Sequence, residues 1–583
     1  MYRKSKVVCD AIQGKVSPGE NMEILLLGSI IFAPLAFGAV EPWAFGLLHA
    51  VFFGMAAYIF ITGRAHHPNP LYKNLLPAVL IVAAIGMLQA IIENPVSAPS
   101  NHLFTVWRPA TLNAVVTWLF YAAVLYCVPQ IITTPKRLKR LLWIIFIMGV
   151  FIALMGMLQM TVENKLVYGL RLVGGDPFGP FINHNHGASF LIISMMAGFG
   201  LFFSSFRMLA ARQGHARFFD LLAVQFLKLV MIMAVAYGIY ITGSRGGLHS
   251  VAFAAAAVGF ISAGFIKTKK NKIAAYAGLI VLLAGYGLFI SQNKILIGLK
   301  DDDKYEGSSA GRLSMYKSGQ RMFLDFPAFG VGLGAAEYAF PHYKLPDLPK
   351  TALVRYIHSD WLQIMLEVGF IGGLIYLAGL LAAVYFFLRI WIGARSFTIK
   401  ALCGGALGAI VADSVHNLVE FSSHIPANAL VFYVILGALA SKPAMEDPPR
   451  GNPEYEEPPA LNPPLRRYAA PAAALAVLLS ACVIPQVIAW RYDQLAKIAP
   501  FRQKLEFRAI SLKWAPNPQS AFRLGGDYYN QGLKDKTAPC EFFKQSRQTI
   551  APYLRRVPVN YDLNRLDESL RLQLAHCHNP LQI

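Results

Sequence analysis

The sequence predicts an all-α polytopic membrane protein, and three observations predict it. Of 583 residues, 55% are hydrophobic and only 15% are charged, whereas soluble domains average about 25% charged. The mean hydropathy is +0.45. Apolar runs of about 20 residues, long enough for a helix to cross a bilayer core, recur thirteen times: 23–41, 44–63, 75–93, 113–132, 139–160, 187–207, 220–242, 247–266, 274–291, 360–390, 400–417, 426–441 and 468–489. Spanning strands would be shorter and would alternate in polarity, so about 13 transmembrane helices are expected.

The charges orient these spans. The net charge is +21, and its basic clusters fall in alternate loops: "MYRKSK" at the start, "KRLKR" at 136–140, "RMLAARQGHAR" at 207–217, "KTKKNK" at 267–272 and "RIWIGARSFTIK" at 389–400. Basic loops stay on the cytoplasmic side, which sets the N-terminus inside. Charge scattered among loops, rather than gathered on one surface, argues against a nucleic-acid partner. No small-residue cleavage motif follows the first apolar run, so 1–22 reads as a cytoplasmic segment and not as a signal peptide.

The chain then divides into a membrane core, 23–441, with a large exported loop at 292–359. A Pro-rich and acidic stretch, 442–467, reads as a cytoplasmic linker. A last span at 468–489 leads to a polar tail, 490–583, on the exported side. Helical periodicity in "CEFFKQSRQTIAPYLRR" and "LNRLDESLRLQLAHC" predicts a small helical domain there. Cys9, Cys127, Cys403 and Cys482 lie in the N-terminal segment or in spans, without metal-ligand spacing. Cys540 and Cys577 are the two cysteines of the tail; an oxidising compartment would join them, with separate thiols as the alternative.

This topology places the unusual polar residues on one face of the membrane. "FINHNHGASF" (181–190) precedes span six, and "TGSRGGLHS" (242–250) links spans seven and eight. "SAGRLSMYKSGQRMFLDFPAFGVGLGAAEYAFPHY" (309–343) lies in the exported loop, which His358 closes. Arg245, between Gly243–Ser244 and Gly246–Gly247, is costly to desolvate without an anionic partner; snorkelling to headgroups is the other reading. Arg312 opens an amphipathic surface helix, where a solvated helix face is the alternative. Two arginines converging at this depth would clamp phosphate oxygens, as in the pyrophosphate of a lipid carrier.

His358 meets the apolar segment "HSDWLQIMLEVGFIGG", with Ser359 placed to cap the helix and Asp360 favourable at its N-terminus. A neutral imidazole there can accept a proton from a sugar hydroxyl; a histidine bonded only to backbone is the alternative. Asn183, His184 and His186 are candidate sugar or phosphate contacts. His184 and His186 could also begin a metal site with His358, but no carboxylate or thiolate stands at a recognised metal spacing, so no metal is expected. "FGVGLG" (329–334) reads as a tight turn rather than a nucleotide loop. Asp413, His416 and Glu420, at helical spacing in "DSVHNLVEFSSHIPAN", would share one face of span eleven, as a hydrogen-bonded support or as substrate contacts.

These motifs together, over roughly 180–440, resemble the bacterial O-antigen ligase and O-antigen polymerase superfamily. The resemblance rests on "FINHNHGASF", "GSRGG", "GRLSMYKSG" followed by "DFPAFGVGLG", and "HSDWLQIMLEVGFIGG". It implies a membrane glycosyltransferase of the GT-C type that takes a glycan from undecaprenyl pyrophosphate on the periplasmic side, with no cofactor. By matching motif, Arg245 and Arg312 would bind the pyrophosphate and His358 would orient or deprotonate the acceptor hydroxyl. The family pattern has asparagine after that histidine; this chain has Ser359.

The resemblance further implies a bacterial inner-membrane enzyme with an N-terminus inside and a periplasmic tail. Displacement in one step would invert the anomeric centre without a metal. The acceptor would be lipid A–core or a growing polysaccharide. A protein O-oligosaccharyltransferase of the pilin type is a second reading, and a lipid-linked glycan flippase a third. A transporter calls for broken helices and midplane charges, whereas the polar clusters here fall in loops.

Overall fold

The computed structural model describes residues 18–62, 72–95, 100–161, 166–169, 171–172, 176–205, 215–292, 309–349, 353–441, 468–535, 537–557 and 560–578. The basic N-terminal segment through residue 17, with Cys9, the loop 206–214 and the Pro-rich stretch 442–467 lie outside the described residues.

The membrane core is built of helices among the described residues, as its composition requires: in hydrocarbon every backbone N–H and C=O must be satisfied within the segment. Its helices are α1 (Pro18–Leu35), α2 (Pro42–Thr62), α3 (Tyr72–Gln89), α4 (Arg108–Ile131), α5 (Pro135–Thr161), α6 (His184–Ser204), α7 (His215–Ile241), α8 (Arg245–Gly264), α9 (Lys269–Gln292), α10 (Ser309–Asp325), α11 (Ala336–Tyr343), α12 (Asp360–Gly393), α13 (Phe397–His416), α14 (Pro426–Leu439) and α15 (Ala469–Ala481). The short strands β1 (Leu166–Val167) and β2 (Arg171–Leu172) pair antiparallel between α5 and α6.

All thirteen apolar runs of the sequence fall on these helices. Ten helical segments among the described residues are long and apolar enough to cross a membrane, one of them running from Ala469 into the next helix at Ile498. The other three runs lie on α1, which opens with Glu20 and Glu23, and on the shorter apolar stretches Leu75–Gln89 and Pro426–Leu439.

The closest core packing is between α6 and α13, and glycine makes it so. A Cβ on Gly405 would stand 2.6 Å from Gly200 Cα. Small residues let helix backbones approach where no hydrophobic drive separates helix from lipid. This pair anchors both elements that deliver buried histidines to the site.

α12 is broken at Gly369, whose φ of 67° is left-handed. The "FGVGLG" segment is indeed a turn, and it wedges into that break. Val331 N–H donates to Leu366 O at 2.9 Å, Gly332 N–H to Glu367 O at 3.1 Å, and Phe370 N–H to Pro327 O at 2.7 Å. The loop thus takes up the carbonyls that the broken helix leaves open. It also seats the first turns of α12, where His358 and Asp360 begin.

The last span passes from α15 into α16 (Ile484–Ile498), whose second half begins the C-terminal tail, and the tail continues as α17 (Phe501–Trp514), α18 (Pro518–Lys534), α19 (Pro539–Arg556) and α20 (Tyr561–His578). Successive helices pack as hairpins around Phe543, Ile550, Leu563, Leu566 and Leu570. A disulfide joins Cys540 on α19 to Cys577 on α20. The tail docks on the core: Trp107, Ala335 and Val557 form one buried cluster. Tyr553 lies 5.9 Å from the Trp107 ring and Arg556 stands 5.6 Å above it.

Candidate functional site

Ser359 caps α12 as its sequence position predicts, its side chain accepting from Leu362 N–H at 3.4 Å. His358, one residue earlier, adopts a left-handed φ of 52°. Such a conformation costs a non-glycine residue about 1–3 kcal/mol and persists only where surrounding contacts impose it. Here Tyr316 OH on α10 donates to His358 O at 2.8 Å. Asp360 N–H donates to the carbonyls of Asn417 and Glu420, each at 3.0 Å. The mouth of α12 is therefore tied to the turn that follows α13.

That turn holds Glu420. Its Oε1 accepts from Arg312 Nη2 at 2.6 Å, and its Oε2 lies 3.5 Å from His358 Nδ1. Arg312 Nη1 also donates to Val419 O at 3.0 Å. The carboxylate is 2% exposed. Burial pushes its pKa up, but His358 and the Arg312 charge outweigh burial and hold it down at about 2. Glu420 is thus an ionised group hydrogen-bonded to a guanidinium and within ion-pair distance of an imidazole.

This arrangement differs from the expected single helix face. α13 ends at His416, and Asn417 N–H turns back to Asp413 O at 2.9 Å. Glu420 therefore leaves the face of Asp413 and His416 and turns to Arg312 and His358. Asp413 stays inside, accepting from Ser422 Oγ at 3.0 Å and Asn417 Nδ2 at 2.9 Å. His416 is fully buried, with Nδ1 3.0 Å from Ser189 Oγ and Nε2 3.4 Å from Ser244 Oγ. These two residues brace the site rather than line it.

Arg245 is the first residue of α8, whose cap is Ser244. A Cβ on its neighbour Gly246 would meet Val419 and His416, so α8 begins against the turn that Arg312 grips. The start of α8 and the Arg312 side chain therefore meet at one turn. Among the described residues Arg245 has no ion-pair partner, whereas Arg312 is engaged by Glu420 and Val419. The sequence did not separate these roles.

Asn183 caps α6, accepting from Asn185 N–H at 2.8 Å. His184 Nδ1 lies 2.6 Å from Thr242 O, tying α6 to the loop before Arg245. The His186 ring stands edge-on to Phe421, which meets the His358 ring in the same way from 5.0 Å. Among the described residues, no three His, Cys, Asp or Glu side chains are grouped to hold a metal ion.

His358, Asp360, Asn183 and His186 open onto one cavity of about 1390 Å³; Arg245, Arg312, His184, His416 and Glu420 are not among the residues that line it. The cavity also shows residues that the sequence did not single out. His424 Nδ1 lies 2.6 Å from Asp360 Oδ1, while Asp360 Oδ2 accepts from Ser423 N–H at 2.8 Å. Burial lowers the His424 pKa, but the Asp360 charge prevails and raises it. Glu337 and Arg355 form an ion pair across the wall at 3.3 Å. His424 stands in "SSHIPAN", just ahead of the helix-starting Pro426; that Pro was its one local signal.

Residues 229–377 match the O-antigen ligase family, a segment that contains Arg245, Arg312 and His358. The teichuronic acid biosynthesis protein TuaE of Bacillus subtilis (strain 168) is 25% identical over 256 residues. That alignment covers 42% of this chain and 49% of TuaE, so it spans about half of that relative's length.

Proposed function

We propose that this chain, which belongs to the O-antigen ligase/polymerase superfamily, transfers a glycan from undecaprenyl pyrophosphate to a hydroxyl acceptor at the His358 end of its helix bundle. The observation that carries the reading is the Arg312–Glu420–His358 chain beside a large cavity. The alternation of basic loops supports placing that end on the periplasmic face of a bacterial inner membrane.

In this mechanism Glu420 receives the Nδ1 side of the imidazole and leaves Nε2 for the acceptor. The acceptor oxygen attacks the anomeric carbon, its proton passes to His358 Nε2, and the carbon–oxygen bond to pyrophosphate breaks with its electron pair. The lipid pyrophosphate departs as the anion. Such a base contributes about 10²–10⁴ in rate. Arg245, which has no ion-pair partner among the described residues, would take the leaving group from the start of α8, and Arg312 fixes Glu420 while adding positive charge from the turn against which α8 begins. One displacement inverts the anomeric centre, and positive side chains supply the charge without a metal.

Lipid A–core or a growing polysaccharide is the acceptor this reading favours, with a protein hydroxyl as the alternative. The test uses purified protein in lipid with undecaprenyl-pyrophosphate-linked glycan from its host, with and without EDTA. Release of lipid pyrophosphate that needs an acceptor, persists in EDTA and is lost in His358→Ala supports the reading and identifies the acceptor class. Full turnover by His358→Ala refutes the site, and no release by wild type with any acceptor favours the flippase.

A further inference from the structure

We infer that the C-terminal tail and the membrane core together form a saccharide-binding subsite in the cavity beside His358, which holds sugar units adjoining the reacting one. The inference rests on the glycosyl-transfer reading and adds to it the place and chemistry of an extended glycan.

The cavity has two walls from distant parts of the chain. The core wall carries His358, Trp361 and Tyr356, and the tail wall carries Trp490, Asp493 and Trp514. The tail is held in register there. Arg556 reaches Glu93 at 3.8 Å and covers Trp107, beside the point where Val557 enters the core. The tail is thus a fixed wall of the cavity and not an appendage.

The lining selects the class of ligand. Ring faces set among hydrogen-bonding groups suit pyranose units, which offer an apolar C–H face and a rim of hydroxyls. Trp490 contributes more than surface: its indole N–H is buried and has no acceptor among the described residues. An unmade buried hydrogen bond is costly, and Trp490 lines the cavity, so a modest turn of its indole would bring the N–H to a ligand oxygen there. Trp514 lies at the rim with 44% of its surface exposed.

The charges argue against other occupants. Arg523 pairs with Asp493 at 3.3 Å, Arg355 with Glu337 at 3.3 Å, and Arg108 with Glu93 at 3.9 Å. Asp360 pairs with His424. A wall whose arginines are all paired, and whose Glu367 is held by Gly334 N–H and Gln363, recruits a polyhydroxyl chain and not a strongly charged peptide. A lipid chain would leave these ion pairs and the Trp490 N–H against hydrocarbon.

The donor glycan and a glycan acceptor share this chemistry, and kinetics separates them. The experiment uses the full-length protein in nanodiscs, with short oligosaccharides from partial acid hydrolysis of the host's surface polysaccharide as the probe. Binding is read by saturation-transfer NMR without any lipid donor, so it does not require turnover. Removing one hydrogen bond costs about 0.5–1.5 kcal/mol, hence Trp490→Phe, which keeps the ring and removes the N–H, weakens binding by about two- to tenfold. Trp514→Ala, at the exposed rim, weakens it without touching the packed core.

In transfer assays the same variants raise KM for the lipid-linked donor if the subsite holds donor sugars, or for the acceptor if it holds acceptor sugars. Absence of saccharide binding by wild type, or equal binding by wild type and both variants, overturns the inference. Saccharide binding with no transfer would count against the proposed reaction alone.

Discussion

Arg312 donates to Glu420 at 2.6 Å across 108 residues of chain, and that pairing decides how His358 is presented. The carboxylate is buried and ionised, so its two oxygens divide between a guanidinium and an imidazole. Replacing Glu420 by Gln leaves Arg312 partly buried without its counter-ion and His358 without its orienting group. Transfer is expected to fall by about 10²-fold or more in kcat, with KM for the lipid donor little changed. A Glu420→Gln enzyme with wild-type kcat would remove Glu420 from the mechanism.

Arg245 has the opposite signature. Its side chain has no ion-pair partner among the described residues, although α8 starts against the turn gripped by Arg312. Arg245→Ala is expected to raise KM for the lipid-linked donor by about tenfold or more and to weaken inhibition by inorganic pyrophosphate, since a charge-assisted contact is worth about 1.5–3 kcal/mol. The fold should not change. Equal pyrophosphate inhibition in wild type and variant would assign Arg245 to the headgroup surface instead.

The second ionic contact at the mouth of α12 responds to pH. The pKa of His424 is raised in the folded state, chiefly by Asp360 acting against burial. The stabilisation is therefore complete below the ordinary histidine value of about 6.5 and is lost as pH rises through the higher folded value. Wild type should lose thermal stability from about pH 6 to about pH 9 more steeply than His424→Asn. Parallel pH profiles for the two proteins would show that this contact contributes nothing to the fold.

How much of this was legible in the sequence follows from the range of each interaction. The thirteen apolar runs mark helices because spanning is a local property of about 20 residues. Ser359 is a visible cap because capping acts within three residues. The partner of Arg312 was not visible, since 108 residues and a helix end separate it from Glu420. Helical spacing placed Glu420 with Asp413 and His416; α13 stops one turn too early for that. His424 lacked a motif because its meaning comes from Asp360, 64 residues away. The cavity wall from the tail was equally hidden, since Trp107 and Val557 meet only after the core and the tail have folded.

Gly369 is the hinge on which the site's geometry rests. A Cβ there would run into Ala328 O, a backbone atom, while φ is 67°. Left-handed strain alone costs about 1–3 kcal/mol, and the wedge 327–334 cannot retreat without losing its bonds to α12. Gly369→Ala is expected to lower the unfolding midpoint in detergent and to reduce transfer. Gly28→Ala is the control, because a methyl at Gly28 meets nothing within 4 Å. Equal midpoints for the two variants would mean that α12 can straighten without cost.

The disulfide extends the argument to the tail. Cys540 and Cys577 close a loop of 37 residues, which in the chain-entropy account stabilises the closed fold by about 3–4 kcal/mol. α19 also carries Tyr553 and Arg556, the residues that seat the tail on Trp107. Replacing both cysteines by Ser should therefore speed tryptic cleavage between α19 and α20 and also loosen the docking contact. Deuterium uptake over 550–557 reads that second effect. Faster cleavage with unchanged uptake would mean that the core around Phe543, Ile550 and Leu563 holds the docking helix by itself. Faster cleavage with faster uptake would make the cross-link a support of the cavity wall, and saccharide binding should then weaken in the same variant.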